Sequence, residues 1–423
     1  MNQTARIISI YAADTSGFCS ALYEYGGMVV IHDASGCNST YTTHDEPRWY
    51  DKKCMMFISG LTEKDAVMGN DDKLIDDLVI AANKLKPEFI ALCASPLPAM
   101  IGTDLDAIAY AVEQETGIPS FHVKTNGMQS YITGAGNAFV ELAKKFIDDK
   151  SYRNSEAVNK TEKETTLKSE NNDSNITGSS DINVINETST ISAASDKIKV
   201  NIIGVTPLDF PKKENCESLK KFIEESGFTL NACIGVDTSL SEIKILPDAD
   251  VNLMVSSSGK PLCEYLYENY DIPFVKGVPY GIRFAEKIKD LLKESAKEKR
   301  NIDATSDLRK EGKVAILGES VLSSSLAAAF FIDNGINACV IETVGDGDFD
   351  ILKPFDFRCE DEAYLEEILK DFDVIIGDPL FKPICHDKRF VSLPHEAFSG
   401  RCFTKNAPNF IYASLDSIEE SNK

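Results

Sequence analysis

The feature that most restricts the fold of this chain is a repeated alternation between short apolar runs and longer segments of helical periodicity. Ile7 to Tyr11, Met28 to His32, Phe89 to Cys93 and Ser120 to Val123 are brief and carry branched or aromatic residues, as strands do. Between them, Asp71 to Lys86 (DDKLIDDLVIAANKLK) repeats its apolar positions at helical spacing, with acids first and lysines last, in keeping with the helix dipole. Asp104 to Thr116 and Asn137 to Asp148 read as further helices. Strands joined through helices pair in parallel and need cover on both faces. The pattern therefore predicts an α/β fold with mostly parallel sheets flanked by helices.

From residue 151 to 196 the alternation stops. The stretch is dense in Ser, Thr, Asn, Glu and Lys and has no aromatic after Tyr152, so it cannot bury enough apolar surface to order itself and reads as a flexible linker or surface insertion. Strands resume at Val200 to Val205, Leu230 to Val236 and Val251 to Ser256, with helices over Glu214 to Glu225, Pro261 to Asn269 and Arg283 to Lys297. The charged run from Lys299 to Arg309 reads as a second, shorter linker. Lys313 to Gly318, Cys339 to Val344 and Val374 to Gly377 form a third set of strands, with helices at Ser320 to Asn334 and Asp361 to Asp371. A chain of 423 residues exceeds what one core supports. The expected organisation is three Rossmann-like domains, residues 1–150, 197–298 and 313–423, separated by linkers at 151–196 and 299–312.

Composition narrows the setting. No apolar run approaches the roughly 18 residues needed to cross a bilayer. The N-terminus lacks a basic flank followed by an apolar stretch, so no signal peptide and no membrane are expected, and the protein reads as cytoplasmic. In that compartment eleven cysteines are reduced thiols rather than disulfides. A net charge of −23 argues against nucleic acid and suits docking of a protein with a basic face.

Chemistry concentrates in residues 16 to 65, which hold Cys19, Cys37, Cys54, the single tryptophan Trp49 and two of the five histidines, His32 and His44. Cys37 closes the run VVIHDASGC, which puts a thiol on a tight turn at the carboxyl end of a strand, where open α/β sheets place ligand-contacting groups. Thiolates on such turns hold iron–sulfur clusters. Buried reduced cysteines acting as small hydrophobes are the other reading. His44, Asp45 and Glu46, beside Arg48 and Trp49, would line a cluster or a substrate path, or form a solvated loop. Glu63 and Asp65, after Thr62, are explained by helix capping. No G-x-x-x-x-G-K-[ST] occurs, and the glycines of ILGESVLSSSL and ITGAGNAF do not complete G-x-G-x-x-G, so no nucleotide is expected to bind this chain itself.

The order of three pieces is recognisable. A strand ending in His-x-x-x-Gly-Cys (His32 to Cys37) is followed by TEKDAVMGNDDKL (Thr62 to Leu74) and by PLPAMIGTDLDAI, which contains Met100 to Leu105. This resembles the component 1 family of nitrogenases and nitrogenase-like reductases, in which the pieces read like HGPxGC, sEKDvVfGGexKL and a cysteine shortly before IGDDi. The resemblance implies a three-domain subunit that pairs with itself or with a homologous component 1 subunit. It also implies an iron–sulfur cluster, [4Fe–4S] or larger, and an ATP-hydrolysing iron protein that docks and delivers electrons. Carried over residue by residue, Cys37 matches the Gly-Cys ligand and Cys19 the upstream ligand. Counting back from Ile101-Gly102 puts the third family cysteine at Pro96, so Cys93, three residues earlier, is the candidate, with Cys54 as substitute.

True nitrogenases hold a second metal site through one cysteine and one histidine. Here LPHEAFSG resembles the histidine segment and makes His395 the candidate, as a group of a substrate pocket. The strand end Val255 to Gly259 carries no thiol, and Cys263 lies on the helix beyond it, so the resemblance does not extend to dinitrogen reduction. The adjacent pair Cys385-His386 would point apart. The expected function is reduction of an organic substrate by a nitrogenase-like oxidoreductase. Low-potential electrons suit unreactive double bonds, tetrapyrroles or carbon–sulfur bonds. The alternatives are a scaffold for metallocofactor assembly and a binding subunit that has lost its cluster.

Overall fold

The computed structural model describes residues 12–34, 46–49, 51–147, 197–359 and 361–415. The strand expected at Ile7 to Tyr11, the turn bearing Cys37 and the stretch 151–196 lie outside these residues.

The alternation resolves into three sheets in which every described pairing is parallel. The first contains β1 (Met28–His32), β2 (Met55–Ile58), β3 (Ile90–Ala94) and β4 (Ser120–Val123), in the order β2-β1-β3-β4. The second contains β5 (Lys199–Ile203), β6 (Thr229–Ile234), β7 (Val251–Met254), β8 (Phe274–Lys276) and β9 (Ile302–Asp303), in the order β6-β5-β7-β8-β9. The third contains β10 (Val314–Gly318), β11 (Ala338–Glu342), β12 (Phe357–Arg358), β13 (Val374–Gly377) and β14 (Arg389–Ser392), in the order β12-β11-β10-β13-β14. The first two follow flavodoxin-like winding and the third has the Rossmann order. In each sheet the winding reverses once: between β1 and β3, between β5 and β7, and between β10 and β13. At such a reversal neighbouring loops leave on opposite faces and open a crevice at the carboxyl ends of the strands.

Central strands are buried on both faces, as parallel sheets require, and β1, β3, β7 and β11 expose nothing. The helix Tyr131–Ile147 is the hinge of the packing. It crosses the helix Asp14–Leu22 at backbone contact, where a Cβ on Gly134 would lie 1.8 Å from the Asp14 carbonyl oxygen and one on Gly17 would lie 2.0 Å from that of Tyr131. On its other side, a Cβ on Gly136 would meet Pro261 at 2.8 Å. The glycines of ITGAGNAF therefore serve close helix packing. They also explain why the helix begins at Tyr131, two turns before the periodicity becomes evident at Asn137.

The charged run 299–312 is built into the structure. It supplies the edge strand β9 and Arg309, whose guanidinium is buried against Asp356 at 2.5 Å. The segment TEKDAVMGN is a capping unit: Thr62 accepts from the Asp65 backbone, and Asp65 in turn pairs with Lys73 at 2.8 Å. Among the described residues no helix is long and apolar enough to cross a membrane.

Candidate functional site

Cys93 is the penultimate residue of β3, at the winding reversal of the first sheet, with its backbone opposite Ile31 of β1. Cys19 sits on the helix Asp14–Leu22, which packs on the same face, and both thiols are buried in one cluster with Phe18, Ile31 and Ala91. Burial pushes the Cys93 thiol far up, and the neighbouring Cys19 adds to the shift. Burial also raises Cys19, followed by Glu46 and Cys54. Cys54, half-buried before β2, lies near Cys19. Thiols raised this far keep their protons unless a cation replaces them. Cys37 and its neighbours 35–45 are outside the described residues. Among those described, no three His, Cys, Asp or Glu side chains are placed to hold a metal ion. The structure thus buries Cys19 beside Cys93 at the reversal between β1 and β3, with Cys54 on the side of Cys19.

The return of that chain is fixed by Arg48. Its guanidinium donates to Glu46 Oε1 at 2.6 Å, to Glu24 Oε1 at 2.8 Å, to the Ser20 carbonyl at 2.7 Å and to the Gly235 carbonyl at 3.1 Å. Ser20 closes the ring by donating to Glu46 Oε2 at 2.9 Å. Glu46 and Arg48 are therefore buried braces rather than a solvated loop, and they lock the segment to the helix bearing Cys19 and to the second sheet. His44 and Asp45 lie outside the described residues. The Glu24 carboxyl feels burial first, but Arg48 and Lys52 outweigh it and hold the group below its ordinary value.

A second convergence forms where the reversals of the second and third sheets face each other. Asp209 follows β5, Ser256 and Ser257 follow β7, Glu319 follows β10, Asp378 follows β13 and His395 follows β14. Asp209 is the hub. It accepts from Tyr131 Oη at 2.5 Å, Ser256 Oγ at 2.6 Å and Thr206 Oγ1 at 3.0 Å. His395 Nε2 lies 3.3 Å from Asp209 Oδ1 as an ion pair, and neither ring nitrogen makes a well-aligned hydrogen bond among the described residues. Burial pulls the imidazole down, but Asp209, Asp378 and Glu319 overcome this and raise it, favouring the cation. Glu319 caps the helix Ser320–Asn334 through the N–H groups of Val321 and Leu322 at 3.0 and 2.8 Å. Burial, reinforced by Asp209, raises its carboxyl.

Asp209, Tyr280, Glu319 and His395 line a cavity of about 70 Å³, closed otherwise by apolar side chains such as Leu317, Leu322 and Phe410. Among the described residues no cysteine lines it. Cys263 is buried on the helix Lys260–Tyr270, in a separate apolar cluster. An imidazole, a phenol and two carboxylates can hold and deliver protons, but they do not make a thiolate–imidazole metal-ligand pair. Cys385 and His386 diverge, the thiol donating to the Phe381 carbonyl and the imidazole facing Glu366 at 2.8 Å. His395 was within reach of the sequence. Asp209, Glu319 and Asp378 were missed; Leu-Gly-Glu-Ser (317–320) and Ile-Gly-Asp-Pro (376–379) share a signal, a strand-end glycine followed at once by an acid, whereas Asp209 carries none.

Residues 24–348 match the family model for nitrogenase component 1 type oxidoreductases. One polypeptide of the light-independent protochlorophyllide reductase of Chlorokybus atmophyticus is 26% identical over 212 residues, 44% of this chain and 40% of that protein. The nitrogenase molybdenum-iron protein beta chain of Nostoc sp. is 29% identical over 124 residues, 28% of this chain and 24% of that protein. These alignments span less than half of the curated relatives' length. The solved structure titled "Nitrogenase Cp1 at pH 6.5" superposes with a TM-score of 0.64 at 16% identity, covering 99% of this chain and 93% of that one, a likeness of fold. With its family match running through all of the first two sheets and into the third, this chain belongs to the nitrogenase component 1 type oxidoreductases.

Proposed function

We propose that this chain is the component 1 type subunit of a two-component reductase that takes electrons from an ATP-hydrolysing iron protein and reduces an organic substrate other than dinitrogen. The observation that supports it most is the burial of Cys19 beside Cys93 at the β1/β3 reversal, the sheet whose β1 leads to Cys37 in the sequence. In this reading those three cysteines hold an iron–sulfur cluster, [4Fe–4S] or larger, with Cys54 as the available substitute. The cluster supplies one-electron transfer. The protein's own residues bury Cys19 and Cys93 away from water and brace residues 46–49 through Arg48.

Reduction of an organic bond consumes protons as well as electrons. His395, drawn toward the cation by Asp209 on its Nε2 side, would give one at Nδ1, and Tyr131 and Ser256 fix the carboxylate that orients the ring. A cavity of about 70 Å³ is far smaller than the several hundred Å³ of pockets that enclose drug-sized ligands. Only a small part of a large substrate would enter it. A docking face is available at the carboxyl edge of the first sheet, where Met68, Met100 and Met128 are 73%, 84% and 80% exposed. Flexible, polarisable methionines on a surface suit protein contacts, here with a homologous subunit or the iron protein.

Anaerobic turnover with a cognate iron protein tests this. Substrate loss that needs both ATP and reductant, and that falls in His395→Gln while the iron content is kept, is the expected result. Transfer of metal to an apo-acceptor without substrate loss would instead establish an assembly scaffold.

A further inference from the structure

Cys216 and Cys233 stand apart from the cysteines used above. Cys216 lies in the helix Lys213–Glu225 and Cys233 in β6, both buried, with their sulfurs 3.7 Å apart. The Cys216 thiol donates to the Val236 carbonyl at 3.6 Å, so the Cys233 thiol is the donor between the two sulfurs. Lys220, one turn beyond Cys216, reaches the Asp237 carboxylate at 3.0 Å and its carbonyl at 3.2 Å, which sets an ammonium beside the pair.

We propose that Cys216 and Cys233 are a dithiol oxidised to a disulfide by peroxide, with Cys216 as the attacking sulfur and Cys233 as the resolving one. The roles follow from the electrostatics. The hydrogen bond from Cys233, helped by Lys220, draws the Cys216 thiol down against burial, whereas Cys233 is pushed well up. The Cys216 thiolate attacks one oxygen of hydrogen peroxide, the O–O bond breaks, and hydroxide leaves with the sulfur as a sulfenic acid. The Cys233 sulfur then attacks that sulfur and expels water. Two thiols and one peroxide give one disulfide and two waters, the sulfurs losing the two electrons that the peroxide gains. The sulfurs, 3.7 Å apart, close to the roughly 2.05 Å of a disulfide.

The step has a consequence in the fold. It removes the thiol that holds the Val236 carbonyl, in the turn that grips the first sheet. There the Gly235 carbonyl accepts from Arg48, and the Asp237 N–H donates to Glu24 at 3.0 Å. Oxidation therefore reaches the brace beside Cys19.

The test is anaerobically purified full-length protein exposed to hydrogen peroxide, then denatured, alkylated, digested and weighed. A peptide joining Cys216 to Cys233, lighter by two hydrogens, is expected. It should form while Cys263 and Cys385, whose thiols burial pushes up, still alkylate completely. Cys216→Ser should abolish the crosslink, and Cys233→Ser should leave a dimedone-reactive sulfenic acid on Cys216. Lys220→Met keeps both thiols and guards against serine variants that fail to fold. Its crosslinking rate should need higher pH while the product stays the same. Full alkylation of Cys216 and Cys233 in oxidised folded protein, a sulfenic acid on Cys233 instead, or an unchanged pH profile in Lys220→Met would each overturn the proposal.

Discussion

Arg48 shows how much one side chain carries when its partners come from four places in the chain. Two carboxylates and two carbonyls surround its guanidinium, and both Glu24 and Glu46 are buried. Arg48→Met leaves those carboxylates without their counter-charge and should cost about 3–5 kcal/mol in chemical denaturation, the range for breaking one side of a buried ion pair. Glu342 carries the opposite sign. Burial raises its carboxyl to about 7, against backbone donors at Val344 and Gly345. A group whose folded value is raised contributes stability that is present below its unfolded value and lost as pH rises through the folded one. Wild-type stability should therefore fall between about pH 4.5 and 7 through this residue. Glu342→Gln should flatten that part of the denaturation-midpoint profile, and an unchanged slope would contradict it. Neither role was legible in the sequence. The partners of Arg48 lie as far off as Gly235, and Glu342 reads as an ordinary strand-end acid until the third sheet closes over it.

At the scale of elements, what the sequence shows is what depends on local periodicity. Helices such as Asp71–Leu85 and Arg283–Glu298 stand out because one face is apolar and the other charged. The helix Asp14–Leu22 escapes detection because it is buried all round and built of small residues, so no amphipathic stripe marks it. The short edge strands β9, β12 and β14 escape because two to four residues carry no period. The glycines of ITGAGNAF mark a place where two backbones touch. Gly134→Ala would force a methyl group against the Asp14 carbonyl. It should destabilise the protein by about 1–3 kcal/mol, as overpacking does, read as a lower denaturant midpoint. An unchanged midpoint would mean that the two helices separate at little cost.

For the whole molecule, the alternation of strand and helix was enough to give three parallel sheets, because parallel pairing demands a crossover each time. It was not enough to bring the reversals of those sheets together, and that convergence assembles Asp209, Glu319 and His395 from segments almost two hundred residues apart. The cysteines are an intermediate case. Cys19 and Cys93 were named from a family pattern and are buried beside each other in the fold, while the cluster proposed for them also calls on Cys37, beyond the described residues. The proposed function therefore rests on the metal. Iron and acid-labile sulfide should be measured per chain on anaerobically purified protein, beside a Cys37→Ala variant with an unchanged circular dichroism spectrum. The prediction is iron and sulfide in comparable amounts, both lost in the variant. Negligible iron in folded, anaerobic wild-type protein, or a full complement in Cys37→Ala, would contradict the central claim.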